Sequence, residues 1–415
     1  MLRKNRSFAK MFAAYGLSAF GDYFDFMAVM ILLGFIWKAD AMTIALLPLC
    51  FAVPGIAFSQ LAGILADRWN KRNLMIATDL LRSGLIVLLI FAPNAGVLLG
   101  LIAIRSTARV FHFPAQQSMT RAVVAPDQLL QATSLNGAVF QLSKILGPLL
   151  GASAASAFSP SVSMAVNAVC YVVSAFLLLL VPAVDGRVPA AASATGKKGS
   201  LRGEWRDGWR LLWHSRILRI SLLFSLIGLA GIQMIDAQFA VLFREIAPEQ
   251  PDLMGWLVTA IGAGGLASVT WLRRYQELTA YGRLLGGGVA LIGLMFAAAG
   301  AFRQDSPLWL MLLVFFIGGI GTGFTSSGMN YILQKETPPD AVGRVSGIFD
   351  SLNSVIFVIA PLSGGALIGL MGASRTFLLV GLAVGIIGVA GIVLRRQMWG
   401  KSNKDTLKPE ISSNA

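Results

Sequence analysis

Charge is what this chain lacks most: only 13% of its 415 residues are Asp, Glu, Lys or Arg, against about 25% in soluble domains. So few polar groups cannot cover a water-facing surface, whereas lipid tolerates apolar side chains on the outside. A soluble globular fold is therefore excluded. Cysteine is nearly absent as well. Cys50 and Cys170 both lie in apolar runs without CxxC spacing, which excludes a disulfide framework and a zinc site. There is no phosphate loop, no nucleophile with a base at motif spacing and no metal-ligand spacing. ATP hydrolysis and enzyme chemistry are disfavoured on that ground, and no metal or cofactor is expected.

Hydrophobic residues make up 56% of the chain and the formal net charge is +14. A basic balance in a soluble chain would suggest nucleic acid. Here the basic residues cluster in alternate loops, the pattern left by retention of Lys and Arg on the inner face of a membrane. The N-terminal "MLRKNR" leads into an apolar stretch that is too long for a signal-peptide core, so a retained first span is expected.

A spanning helix needs roughly 20 apolar residues. Six such runs fall in each half, at about 11–36, 42–66, 73–93, 96–118, 129–157 and 162–182, then about 217–243, 254–272, 284–302, 307–333, 342–370 and 375–395. The predicted fold is all-α, with twelve transmembrane helices in two six-helix bundles. Of the 34 Lys and Arg residues, 26 lie on one side of this map. Lys38, Arg244, Arg303 and Arg375 lie on the other, and Arg82, Arg105, Arg109 and Lys144 lie inside spans. That asymmetry predicts a multi-pass protein of the inner (plasma) membrane with both termini cytoplasmic. The expected domains are an N-terminal bundle over 1–183, a cytoplasmic linker over 184–216, a C-terminal bundle over 217–396 and a basic cytoplasmic tail over 397–415. Within the linker, "LRGEWRDGWRLLWHSR" puts Leu201, Trp205, Trp209, Leu212 and Trp213 on one helical face and Arg202, Arg206 and Arg210 on another. A helix lying along the inner membrane surface is expected there.

The halves repeat. "PDQLLQATSLNGAVFQLSKILGPLLGA" from Pro126 and "PDAVGRVSGIFDSLNSVIFVIAPLSGG" from Pro339 superpose at an offset of 213 residues, which aligns Pro148 with Pro361 and Gly151 with Gly364. Both segments enter the fifth span of their half, as parallel repeats require.

After the second span the chain reads "GILADRWNKRNLM", Gly63 to Met75. This run resembles the loop signature of the major facilitator superfamily, a family of secondary transporters. Asn70 stands where that family usually has glycine, a departure that Asn's tolerance of the left-handed conformation would accommodate. The resemblance implies a gating element in which Gly63, Asp67, Arg68, Lys71 and Arg72 hold the bundles together on the cytoplasmic side. A plain positive-inside loop is the alternative. Asp79 and Arg82, one turn apart, would join this gate or pair with each other. In the fifth span "GPLLGA", with Gly147, Pro148 and Gly151, resembles the pattern of the drug and proton antiporters, with Ser143 and Ala152 at two expected glycine sites. "QKETPPDAVGRVSG" resembles a loop of macrolide-efflux and siderophore-export relatives.

Charge inside a span is costly. "LSAFGDYFDFMAV" carries Asp22 and Asp25 at mid-span, the fourth span offers Arg105, Arg109 and His112, and the fifth offers Gln141 and Lys144. An ion pair between Asp22 and Arg105 is expected, and Arg105 also resembles the fourth-span arginine of the drug antiporters. These carboxylates either take up and release a proton during transport or permanently neutralise Arg105, Arg109 and Lys144. Gln233, Asp236, Asn330, Asp350 and Asn353 could face the same cavity, and Tyr23, Phe24, Phe26, Phe111, Phe140 and Phe239 could line it. The expected function is proton-driven export of an amphipathic or cationic small molecule by alternating access, with the proton gradient in place of a cofactor. Its partners would be that small molecule, protons and membrane lipid, with a monomer as the working unit and no nucleic acid. The alternatives are export of a lysophospholipid, siderophore or metal ion, and a non-transporting membrane sensor or assembly factor.

Overall fold

The computed structural model describes residues 5–182, 209–275, 277–278, 280–338 and 341–399; the described side chains exclude Gln60, residues 63–68, Pro126, Leu130 and Gly343. Twelve described helices are long and apolar enough to cross a membrane. They are α1 (Arg6–Ile36), α2 (Ala41–Arg68), α3 (Lys71–Ile90), α4 (Ala95–Val123), α5 (Leu129–Ala157), α6 (Pro160–Leu179), α7 (Arg216–Ile246), α8 (Leu253–Leu272), α9 (Gly282–Ala301), α10 (Leu308–Glu336), α11 (Val342–Met371) and α12 (Ala373–Val393). Lipid offers no hydrogen bonds, so each span must satisfy its backbone internally, and helices do this. Most bounds shift by one to three residues from the sequence expectation, and two shift by five: α1 begins at Arg6 and α4 continues to Val123.

Short polar side chains start many of the helices by capping free N–H groups. Asn5 accepts from Phe8 N at 3.0 Å, Asn94 from Val97 N at 3.0 Å, Ser159 from Val162 N at 3.2 Å and Ser215 from Leu218 N at 3.3 Å. Asn70 belongs to this set. Its φ of −63° is extended backbone, and its side chain accepts from Asn73 N at 3.2 Å. Asn70 is therefore a helix cap, not the left-handed turn residue its alignment with a glycine suggested. The stretch read as a loop is also mostly helix: α2 runs to Arg68, α3 starts at Lys71, and only two residues connect them.

The chain divides into two compact units, Met1–Gly196 with Ala247–Thr259, and Lys197–Ile246 with Ala260–Ala415. In the first, α1 packs on α5 and α6, α3 on α4 and α6, and α2 on α4. In the second, α7 packs on α11, and α9 packs on α10 and α12. The pairs α1–α5 and α7–α11 correspond, as do α3–α6 and α9–α12, which is the internal repeat seen in space. Gly151 and Gly364, aligned by that repeat, do the same job. A Cβ on Gly151 would lie 2.8 Å from the Phe24 Cα and the Tyr23 carbonyl oxygen on α1, and one on Gly364 would overlap the Met234 carbonyl oxygen on α7. Each glycine lets the fifth helix of its unit touch the backbone of the first.

The linker through residue 208 and the tail beyond residue 399 lie outside the described residues, as do positions 201–208 of the expected surface helix. Its remaining part, 209–214, is helical, with Leu212 buried and Trp213 exposed under the Arg219 guanidinium.

Candidate functional site

The first unit holds a connected set of ionisable groups near the middle of α1, α3, α4 and α6. Asp25 on α1 is wholly buried and forms an ion pair with Arg105 Nη1 on α4. One turn earlier, Asp22 Oδ1 accepts from Arg82 Nη2 on α3 at 2.8 Å and from the Tyr171 hydroxyl on α6. Arg82 also lies over the Tyr171 ring, 4.0 Å from its centroid, a cation–π contact that shields the guanidinium. Arg109 reaches Asp22 Oδ2 only at 3.9 Å and its side chain is 57% exposed. Deeper toward the start of α3, Asp79 accepts from the Ser174 hydroxyl at 2.7 Å and faces His112 Nδ1 at 3.3 Å.

Three helix faces bring these groups together. Arg105, Arg109 and His112 recur at i, i+4 and i+7 on α4, and Ser163, Asn167, Tyr171 and Ser174 form a polar stripe at helical spacing on α6. All four stripe residues are 0–1% exposed. The depth of α1 is set from its other side. A Cβ on Gly147 would stand 2.6 Å from Tyr23 Cβ, and Ser163 Oγ donates to the Phe24 carbonyl at 3.0 Å. The glycine motif of α5 thus presses on the two residues between Asp22 and Asp25, and fixes which way the carboxylates face. Pro148 lies within α5, which continues through it.

Several sequence expectations are corrected. Arg105 pairs with Asp25 and not with Asp22, because Asp22 is one turn away and already taken by Arg82. Arg82, assigned to the gate, is 4% exposed and belongs to this mid-span cluster, as does Asp79, which is wholly buried. Their own contact is only 3.9 Å. Lys144 and Gln141 sit on an exposed face of α5, and Lys144 makes no ion pair among the described residues, so it does not neutralise the carboxylates. Phe111 packs against a core of Met11, Met75, Met119 and Leu178, and Phe239 is 3% exposed among Phe243, Phe296, Phe315 and Phe377. Both are packing residues. Phe140 is exposed, and the Phe26 ring lies tilted against Phe51 with centroids 6.2 Å apart.

Of the gate residues, Lys71 is 9% exposed and Arg72 donates to the Val181 carbonyl at 2.9 Å, while the side chains at 63, 67 and 68 lie outside those described. In the second unit Asp236, Asn330 and Asp350 are exposed, and Gln233 and Asn353 are half-buried. Tyr171, Thr78 and Ser174 were missed in the sequence, although the α6 stripe was visible in "SMAVNAVCYVVSA". Beside the cluster, α2 and α4 line an open pocket of about 500 Å³, with Phe51, Ser106, Arg109, Val110, Phe113 and Pro114 among its walls. Among the described residues its lining includes one cationic side chain, Arg109, and no carboxylate.

Twelve spans in two repeated units, with charge buried at mid-span among the described residues, define the class: a polytopic membrane transporter. The model of the Major Facilitator Superfamily matches residues 11–272 and 248–411, and the chain belongs to that family. It is 27% identical over 414 residues to the uncharacterized MFS-type transporter YfiS of Bacillus subtilis, covering 97% of this chain and 98% of that one. It is 25% identical to the multidrug efflux pump Tap of Mycolicibacterium fortuitum, over 86% of this chain and 88% of that one. Its fold is similar to that of the nucleoside transporter NupG, with a TM-score of 0.73 at 13% identity over 94% of this chain and 100% of the other.

Proposed function

We propose that this transporter exports an amphipathic or cationic small molecule across the plasma membrane in exchange for protons, by alternating access, with both termini cytoplasmic. One observation carries this reading: Asp22 is the carboxylate of the cluster with access, its side chain 21% exposed, while it shares Arg82, Tyr171 and Arg109. Asp25 is sealed with Arg105 and acts as a fixed pair. A carboxylate near the membrane centre is costly to leave charged and alone, so it must carry either a cation or a proton, and the two compete for it. Asp22 is therefore the coupling acid, and Asp25 positions α4 against α1. Kinship with a protein named as a multidrug efflux pump supports the cargo class, and the 26 inward cations support the orientation.

The test is proton flux in proteoliposomes of the intact chain. Addition of a cationic amphiphile should release protons from the vesicle lumen in proportion to cargo moved, and Asp22→Asn should keep cargo binding while losing proton movement. Full coupling in Asp22→Asn would remove Asp22 from this role.

A second cargo class is favoured by the cavity between α2 and α4. Its apolar wall and lone Arg109 suit an amphipathic anion, such as a lysophospholipid or a siderophore, better than a cation. Flux of an anionic amphiphile, lost in Arg109→Gln and absent for cationic dyes, would decide for it.

A further inference from the structure

Asp22, Asp25 and Asp79 face the interior of the first unit, against two buried guanidiniums, Arg82 and Arg105. Arg105 is taken by Asp25, and Arg82 gives its Nη2 to Asp22 at 2.8 Å while its Nη1 stays 3.9 Å from Asp79. Arg109 reaches Asp22 alone. Asp79 is thus wholly buried with no cation in hydrogen-bond contact: Oδ2 accepts from Ser174, and Oδ1 has no hydrogen bond. The group facing that bare oxygen is His112 Nδ1, 3.3 Å away.

His112 is itself buried, and its Nδ1 lies 3.0 Å from the Thr78 hydroxyl oxygen. That hydroxyl lies 2.8 and 2.9 Å from the Leu74 and Met75 carbonyls, which can only accept. With the single hydroxyl proton given to a carbonyl, Thr78 offers a lone pair to the ring, so Nδ1 carries hydrogen. An Nδ1–H aimed between Thr78 and Asp79 is the orientation an imidazolium needs. A buried carboxylate without an opposite charge is strongly disfavoured. One proton on the pair, held on His112 or on Asp79, removes that cost.

We propose that Asp79 and His112 together hold one exchangeable proton, which Arg82 trades against a proton taken up by Asp22. This rests on the reading that Asp22 titrates. When Asp22 binds a proton from the cavity, it no longer holds Arg82 by charge. A shift of about 1 Å brings Nη1 from 3.9 Å to hydrogen-bond distance of Asp79. Asp79 then has its cation, and the proton on the pair is surplus. The imidazolium N–H bond breaks, its electron pair stays on nitrogen, and the proton leaves to water. One proton enters at mid-span, one leaves nearer the start of α3, and the cluster's net charge is unchanged. The groups that set the affinity of His112 are Asp79, Arg82 and Thr78 from α3, Asp22 from α1, Tyr171 and Ser174 from α6, and Arg109 on its own helix.

The chain has two histidines, so His214→Gln leaves His112 as the sole reporter. Nitrogen-15 histidine NMR of the full chain in lipid nanodiscs reads its ring directly, without substrate or transport. One step from imidazolium to the neutral Nδ1–H form is expected within about pH 5–8. Asp79→Asn should weaken proton binding by about tenfold or more, one pH unit in the midpoint. Asp22→Asn, a mimic of protonated Asp22, should weaken it too, whereas Lys144→Gln should not. Should Asp79→Asn fail to fold, Ser174→Ala serves: it strips a donor from Asp79 and should tighten proton binding. A midpoint indifferent to Asp79→Asn and Ser174→Ala overturns the pair, and one indifferent to Asp22→Asn overturns the trade. If proton-coupled export fails in vesicles, these spectra still decide whether the pair exists.

Discussion

The two units share a helix order and a packing plan, yet they hold themselves together by different chemistry. In the first, the interior carries Asp22, Asp25, Asp79, Arg82, Arg105 and His112, and a buried polar stripe on α6 receives them. In the second, the ion pair of Lys335 with Glu277 at 3.7 Å is partly or largely exposed at a helix end. Its core holds four phenylalanines around Phe239, with ring centroids 5.2–6.2 Å from it. There α9 meets α12 at Gly293 and Gly385, and α10 at Gly288 and Gly321, backbone against backbone. Such close-packed small-residue faces resist deformation, whereas ion pairs rearrange when a proton arrives. A duplicated fold has thus kept its titratable interior in one copy and a close-packed interior in the other.

Removing one partner of a buried ion pair should have the largest effect. Arg105→Ala should cost about 3–5 kcal/mol by leaving Asp25 unpaired, and the double replacement Asp25→Leu with Arg105→Leu should recover most of it. Thermal unfolding in detergent checks both. Phe239→Ala, the matching insult to the second unit, should cost about 3 kcal/mol by opening a cavity, with no dependence on pH. A strong pH dependence would blur the contrast between the units.

Repeat-equivalent glycines sharpen it. Gly151→Val and Gly364→Val should each destabilise by about 1–3 kcal/mol through overpacking. Only Gly151→Val should also abolish proton-coupled flux in vesicles, because it displaces the Tyr23–Phe24 segment that carries the carboxylates. Equal loss of flux would mean that the charge cluster is not the distinguishing feature.

Smaller still is the cap on α2. Asp40 accepts from Met42 N and Thr43 N at 3.0 Å and from the Thr43 hydroxyl at 2.6 Å. These bonds, the Thr43 hydroxyl first, lower its pKa below the ordinary carboxylate value. A lowered pKa gives stability that is present above about pH 3.9 and lost as pH falls through the folded value. Asp40→Ala should cost about 1 kcal/mol at neutral pH and nothing in strong acid. Smallest of all, Lys335→Gln should change stability by less than about 1 kcal/mol, as exposed pairs do.

Much of this was legible in the residues. Span number and position follow from apolar length, because a helix in lipid must satisfy its own backbone whatever its neighbours do. The offset that aligned Gly151 with Gly364 anticipated two equivalent helix contacts. The identity of the charged residues was legible too, since each stands out against a hydrophobic run. Their pairing was not. Arg82 looked like part of a surface gate because it lies near the cytoplasmic end of the third span, and Lys144 looked like a partner because it is a cation inside the fifth span.

By itself, then, the sequence determined twelve helices, their duplication and the set of ionisable groups, all properties of local composition. Only the tertiary structure decided that Arg105 belongs to Asp25, Arg82 to Asp22 and His112 to Asp79. A long guanidinium can reach either of two neighbouring helices, so its partner depends on how each helix is rotated about its axis. That rotation is fixed by packing between distant segments, here Gly147 and Gly151 on α5 pressing against Tyr23 and Phe24 on α1.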